Sequence, residues 1–410
     1  MRIATAYAYD QSIANLQKRQ QDLSNSQIQL TSGKRVNNAS DDPTAAARSE
    51  RALASIARSD ANKRSLDASR NVMSITESAL GDAVELLQTA RETLVAAGNG
   101  SYSDGERKAL AIKLRELRSQ MLAVANRPDG GGGFVFGGQG SAIPPFVDAP
   151  GDVQFNGQAG ELLASSSEKL NLTVDGEQIW LKARTGNGVF TTAPASGNAG
   201  SAWISSGTVS APAQLPYPSA GTSPTFEIRF AGSGSSITYE VFDTTTPPGT
   251  SLGAAQPYLS GKNIDIPGKG MSVSIAGTPA NGDTFEIGES TNDQSVFKTL
   301  DNAIAALSQT NIGSGAVQQA VNTGMTGLDS VLSNIQAARS SVGESLNRMD
   351  GIENRISALK LSAETEKSNA EDLDMTEAIS NFTSQQTGYQ AALQSYAAVQ
   401  NLSLFQYIKT

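Results

Sequence analysis

Residues 9–30 read YDQSIANLQKRQQDLSNSQIQL, and residues 375–396 read MTEAISNFTSQQTGYQAALQSY. In the first stretch Tyr9, Ile13, Leu16, Gln20, Leu23, Gln27 and Leu30 fall at alternating four- and three-residue spacing. In the second, Met375, Ile379, Phe382, Gln386, Tyr389, Leu393 and Tyr396 do the same. Such spacing turns one face of a helix towards a partner helix. Chain ends usually fray, so patterned ends mark the termini as a working surface. The apolar positions, with Leu402 and Phe405 further along, are the candidate assembly residues. Gln20, Gln27 and Gln386 interrupt the seams, a choice that favours register over strength. The end helices are expected to stay disordered in the monomer and to order against neighbours, since a lone helix of this length is marginal in water.

Working inward, more helices follow. Asp41-Asp42-Pro43 signals a helix start, with an Asp N-cap and proline at the first helical position. That explains the two carboxylates better than a metal pair does. Leu66, Met73, Leu80, Leu87 and Leu94 recur every seven residues up to Gly98-Asn99-Gly100. A further helix opens near Ser103-Asp104, and Leu328 to Ile356 form another seam. A break is expected over Ser362 to Asn369. Between about 134 and 290 the pattern changes to short β-branched runs punctuated by Asp175-Gly176 and Asn281-Gly282 turns. This insert holds 13 acidic and 6 basic residues. Glycines 130–133 read as a hinge, because neither a Lys-Ser/Thr pair nor a helix follows them as a phosphate loop requires. Trp180, Trp203, Tyr217, Tyr239 and Tyr258 read as core aromatics rather than a sugar platform. Asn171-Leu172-Thr173 has the form of a glycosylation acceptor, although so short a match is common by chance.

The fold class is therefore α+β: an elongated, coiled-coil-like antiparallel helical rod built from both chain ends, with a β-rich middle domain. Residues 1–42 with 364–410 are the terminal assembly helices, 43–133 with 291–363 the helical rod, and 134–290 the surface domain. The surface domain enters and leaves at glycine-rich points, so 146–285 is expected to be dispensable.

Composition excludes much chemistry. The 410 residues contain no cysteine and no histidine, which removes thiol nucleophiles, catalytic triads, disulfides and imidazole metal sites. No catalytic residue, cofactor or metal is expected. A net charge of −9 argues against nucleic acid. No apolar run approaches a membrane span, so no membrane insertion is expected, and the first residues lack a signal-peptide core.

Leu30-Thr31-Ser32-Gly33-Lys34-Arg35-Val36-Asn37-Asn38-Ala39-Ser40-Asp41-Asp42-Pro43 resembles the amino-terminal motif of the bacterial flagellin superfamily. Ser32, Gly33, Arg35, Asn37, Asp41, Asp42 and Pro43 carry it. The start Met1-Arg2-Ile3-Ala4-Thr5 resembles the hook–filament junction branch of that superfamily. So do Phe134-Val135-Phe136-Gly137-Gly138, Gly282-Asp283-Thr284-Phe285-Glu286-Ile287, Glu371-Asp372-Leu373-Asp374-Met375 and the ending Leu402-Ser403-Leu404-Phe405-Gln406-Tyr407-Ile408. The resemblance covers about the first 140 and the last 130 residues.

It implies a self-assembling structural protein of the flagellum, ringed between the other hook-associated junction protein and flagellin. It also implies type III export to the cell exterior and an export chaperone at the carboxyl helix. The alternatives are a minor flagellin, which the Leu-Phe-Gln-Tyr-Ile ending opposes, and a secreted carbohydrate-binding adhesin or hydrolase. The last would need residues such as Glu227 and Asp243 to line one cleft.

Overall fold

The computed structural model describes residues 2–164 and 168–407, and their side chains apart from 2–6, 8, 235 and 399–407. The chain divides into two compact units, 1–64 with 351–410 and 65–350.

Four long helices supply most of the first unit. They are α1 (Arg2–Ser32), the start of α2 (Pro43–Ala97), the end of α6 (Ser314–Glu371) and α7 (Met375–Tyr407). Helices α2 and α6 run antiparallel here, with Lys360 Nζ 2.8 Å from Asp60 and Lys63 Nζ 2.9 Å from Glu353. α6 is unbroken to Glu371, so the break expected over 362–369 is absent. Ser, Asn and Lys are tolerated well enough in a helix that its flanking partners decide the matter.

α1 and α7 also pair antiparallel. The Tyr9 and Tyr396 rings meet at 5.5 Å, tilted by 39°, with their hydroxyls 2.5 Å apart, and Ser26 Oγ donates to Gln385 at 2.7 Å. In this structure each end helix packs against the other within the chain.

In the second unit the heptad residues Leu66, Met73, Leu80, Leu87 and Leu94 are all buried, as are Leu328, Ile335, Val342 and Met349 of α6. Arg70–Asp350, Arg339–Glu77 and Arg91–Asp329 pairs flank this antiparallel seam. α3 (Asp104–Ala125) opens on a Ser103–Glu106 capping box. α5 (Val296–Ser308) opens on a Ser295 cap.

The expected single β domain is two different things. Residues 134–185 hold a short hairpin, β1 (Phe146–Ala149) with β2 (Asp152–Phe155), and the one-turn helix α4 (Gly176–Trp180). Their aromatics dock on the helices. Trp180, fully buried, meets Phe136 edge-on at 5.3 Å and lies 6.5 Å from Phe297 of α5. Arg118 of α3 spans Asp148 (2.6 Å), Asp301 (2.7 Å) and the Phe297 ring. Ser295 Oγ donates to Asp152 at 2.9 Å.

The sandwich proper occupies 190–289. One sheet orders β3 (Phe190–Pro194), β12 (Thr284–Glu289), β6 (Phe226–Ala231), β7 (Thr238–Asp243) and β8 (Thr250–Ser251), with β9 (Gln256–Pro257) beside β7. The other orders β10 (Asn263–Ile266), β11 (Met271–Ala276) and β4 (Trp203–Ile204), with β5 (Thr208–Val209) on β11. Phe226, Ile228, Phe285 and Ile287 from the first meet Ile264, Met271, Val273 and Ile275 from the second in one core. Tyr217 is buried there, and Tyr239 and Tyr258 pack against it, as the core reading required.

The sandwich leaves and returns at one place. Thr185 N donates to Thr291 O at 2.9 Å, Thr291 N donates to Thr185 Oγ1 at 2.8 Å, and Ala183 and Gln294 exchange backbone bonds. Glycines 130–133 are not that boundary. They form a tight turn whose N–H groups of Gly131 and Gly133 donate to Asp129 at 2.7 and 2.9 Å.

The segment expected to be removable is accordingly 187–289 rather than 146–285, which includes Phe146 and Trp180 of the aromatic cluster. Replacing 187–289 by a short Gly-Ser linker should preserve the helical circular dichroism. Replacing 146–285 should lower it and the melting temperature together, since removing Phe146 and Trp180 opens a cavity costing about 3–5 kcal/mol per aromatic.

Candidate assembly site at the chain termini

The family-type motif folds into a clasp within the first unit. Gly33 ends α1 at φ +68°, a left-handed turn that glycine adopts without strain. The chain then lies against the end of α6. Arg35 N donates to Glu371 O at 2.7 Å, Arg35 Nη2 to Ala370 O at 2.7 Å, and Leu373 N to Gly33 O at 3.1 Å. Arg35 Nη1 also reaches Asp42 at 3.2 Å. Val36, Ala45 and Ala370 form a small apolar plug beneath.

The two aspartates divide their work. Asp41 accepts from Asn37 N and Asn38 N at 3.0 and 2.9 Å and tightens the turn. Asp42 caps α2, accepting from Ala45 N and from Thr44 N and Oγ1, with Pro43 at the first helical position. Those bonds, with that from Arg35, hold the Asp42 carboxyl far below the usual carboxylate range. Ser32 Oγ accepts from Lys34 N, and Asn37 Nδ2 donates to Lys34 O.

Glu371 is the residue the sequence did not single out. Its carboxylate accepts from Ser49 Oγ at 2.7 Å and pairs with Lys34 at 3.1 Å and Lys367 at 3.3 Å. Burial alone would raise its pKa, but these three donors together hold it below the usual range. A signal was present: an acid at a helix C-terminus opposes the helix dipole and needs cations around it. Asp374 then caps α7 through Thr376 N and Glu377 N.

Beyond the clasp, Ile13, Leu16, Leu23 and Leu30 of α1 are half-buried and Tyr9 is 38% exposed, while Gln20 and Gln27 face solvent. On α7 the packed seam is Ala378, Phe382, Gln385, Tyr389, Ala392 and Tyr396. The expected stripe therefore divides. Phe382, Tyr389 and Tyr396 turn inward, whereas Met375, Ile379 and Leu393 are 46%, 53% and 42% exposed. Small and amide side chains occupy the intervening inner positions, which is why a search for large apolar residues set the face one step off. The side chains of Leu402 and Phe405 lie outside the described residues. No described side chain of α1 or α7 is fully buried.

Other candidates take ordinary places. Asn171 and Thr173 are buried, and Thr173 Oγ1 donates to Gly138 O, so this acceptor motif is closed to a glycan. Asp243 lies opposite Phe226 and Glu227 opposite Phe242. Neighbouring residues of a strand point to opposite faces, so Glu227 and Asp243 cannot line one cleft. Glu227 instead pairs with Arg229 at 2.7 Å.

Models of the bacterial flagellin N-terminal and C-terminal helical regions match residues 3–141 and 325–408, together more than half of the chain. The chain belongs to the bacterial flagellin family. It is 25% identical to flagellar hook-associated protein 3 of Salmonella typhimurium over 99% of both chains. The flagellar hook-associated protein-3 of Legionella pneumophila superposes with a TM-score of 0.69 at 26% identity, over 78% of this chain and 98% of that one. The flagellar junction protein FlgL of the same organism gives 0.62 at 26%, over 71% and 95%. This flagellin-family chain is thus a structural component of the bacterial flagellum, of the hook–filament junction kind, and not an enzyme. Its partners are other flagellar proteins.

The clasp makes a prediction about acid. A carboxylate whose folded pKa is depressed adds stability above its unfolded pKa and loses it as pH falls through the folded value. The melting temperature should therefore hold down to the ordinary carboxylate range and drop below it. Glu371→Gln should flatten that drop. Glu371→Ala should cost about 1–3 kcal/mol at neutral pH by stranding Ser49 and two ammonium groups, read by denaturant titration.

Proposed function

We propose that the chain forms a ring between the other hook-associated junction protein and the first flagellin, and that α1 and α7 are the surface through which copies pack. One observation carries this reading. The apolar stripe of α7 is wider than α1 covers: Phe382, Tyr389 and Tyr396 are half-buried, while Met375, Ile379 and Leu393 on the flank of the same stripe are 46%, 53% and 42% exposed. A stripe that wide has room for a second partner, and the single chain supplies one. Met375, Ile379 and Leu393 are therefore assigned to contacts between copies. Tyr9, Ile13, Leu16, Leu23, Leu30, Phe382, Tyr389 and Tyr396 hold the pair itself, and Leu402 and Phe405 extend the assembly surface. The motif Ser32, Gly33, Arg35, Asn37, Asp41, Asp42 and Pro43 serves as the base from which the pair is aimed.

In this reading the first unit is the assembly domain, residues 65–185 with 291–350 are the helical body, and the 187–289 sandwich is the surface domain. Export through the flagellar type III apparatus to the cell exterior suits a chain without cysteine, which can cross unfolded with no disulfide to reduce. An export chaperone covering the apolar outer face of α7 would keep copies apart until then.

Ile379→Asp and Leu393→Asp should lower the monomer's melting temperature by only a few °C (about 1 kcal/mol or less), because both side chains are already about half exposed. Each should nonetheless abolish filament attachment, leaving hooks and flagellin shed into the medium. Phe382→Asp should loosen the α1–α7 pair even in the monomer. If Leu393→Asp cells grow normal filaments, the outer face of α7 is not an assembly surface.

Protease should cut the monomer outside the clasp first. Limited digestion should converge on a fragment starting near Gly33 and ending near Asp374. Mass spectrometry showing cuts within 43–370 before loss of the ends would contradict this.

A further inference from the structure

Inside the terminal pair, Gly388 of α7 faces Arg19 of α1. A Cβ at 388 would stand 2.8 Å from Arg19 Nη1, closer than a methyl group and a guanidinium can approach. Glycine is a poor residue inside a helix, and this close approach is what it permits: the Arg19 head lies directly on the α7 backbone. Arg19 finds no acid there. Between Met375 and Tyr407 the sequence has a single charged residue, Glu377, about three turns away. Arg19 makes no ion pair or hydrogen bond among the described residues, and neither do Lys18 and Asp22, which line the same groove with Ala392 and Ser395.

Arg19 and Asp22 are three residues apart on one helix, a spacing at which such residues commonly pair. Here the guanidinium is drawn over Gly388 instead, and Lys18, Arg19 and Asp22 are all left open on one groove. A groove that presents cations apart from an anion is complementary to a shifted copy of itself. That is the requirement of a head-to-tail contact, in which neighbours meet through different patches and the contact repeats round a ring. We propose that Arg19 of one copy pairs with Asp22 of the next, with Gly388 as the seat that holds the guanidinium in place. The inference rests on the reading that the terminal pair packs against neighbouring copies. It adds the partner and the register.

A charge swap tests it in cells lacking the native gene, with filaments counted by microscopy and shed flagellin measured in the medium. Arg19→Glu alone sets Glu against Asp, and Asp22→Arg alone sets Arg against Arg. Each should reduce filament-bearing cells by roughly tenfold or more, since like charges in a contact suppress pairing. Where the two variants alternate, the contact between them is again opposite in charge, so their mixed expression should return filaments to part of the cells. The double variant R19E/D22R should restore them as well.

Normal filaments with either single charge variant would overturn the pairing, and so would failure of the double variant R19E/D22R to restore them. Leu393→Asp separates the two ideas. If it abolishes attachment while Arg19→Glu does not, the packing surface stands and the Arg19–Asp22 register is wrong. Circular dichroism of each purified variant guards against simple unfolding: a loss of filaments with intact helix and rescue on mixing cannot come from a misfolded monomer.

Discussion

The Glu371 carboxylate sits where a helix least favours a negative charge, at the end of a 58-residue helix. Its three donors come from three places: Lys367 one turn earlier, Ser49 on α2 and Lys34 in the turn after α1. Satisfying that one group therefore brings the α1–α2 turn to the end of α6. The backbone bonds from Arg35 N to Glu371 O and from Leu373 N to Gly33 O then fix the crossing. α1 arrives and α7 departs from the same point, so the two can lie side by side only antiparallel. The pairing of the termini follows from a clasp about 25 residues away from the Tyr9–Tyr396 contact that marks its outer reach.

The two units are stabilised in different ways. In the 65–350 unit the Leu66-to-Leu94 seam, the Trp180 aromatic cluster and the sandwich core are closed to water, and burial at roughly 25 cal/mol per Å2 accumulates there. In α1 and α7 the described side chains are at best half-buried. What they have is registration: one tyrosine pair, one Ser26–Gln385 bond and the Arg19–Gly388 contact. Such contacts select one alignment without adding much strength.

Much of this was legible in the sequence because the signals are local. Heptad leucines, the Asp42-Pro43 start, the Ser103 cap and the alternating strands each read from a few neighbouring residues. Three things were not. The inner seam of α7 uses Ala378, Gln385 and Ala392, which hydrophobic spacing ignores. The division of 134–290 depends on Phe146 and Trp180 meeting Phe297, contacts made over more than a hundred residues. Glu371 was visible within its motif but not as its centre, because its partners lie up to 337 positions away in Lys34 and 322 in Ser49.

The small inner seam has a physical logic of its own. Alanine and glycine at the contact let helices approach closely with little side-chain entropy lost, but they also bury little apolar area. Had Met375, Ile379 and Leu393 turned inward, the pair would be a stronger coiled coil and α7 would offer neighbours only polar side chains. With Phe and Tyr in the seam, alanine between them and Ile and Leu on its flank, the pair stays aligned while apolar surface is left over. Under the proposed assembly, that division lets one helix hold its partner within the chain and still offer neighbouring copies a side to pack on.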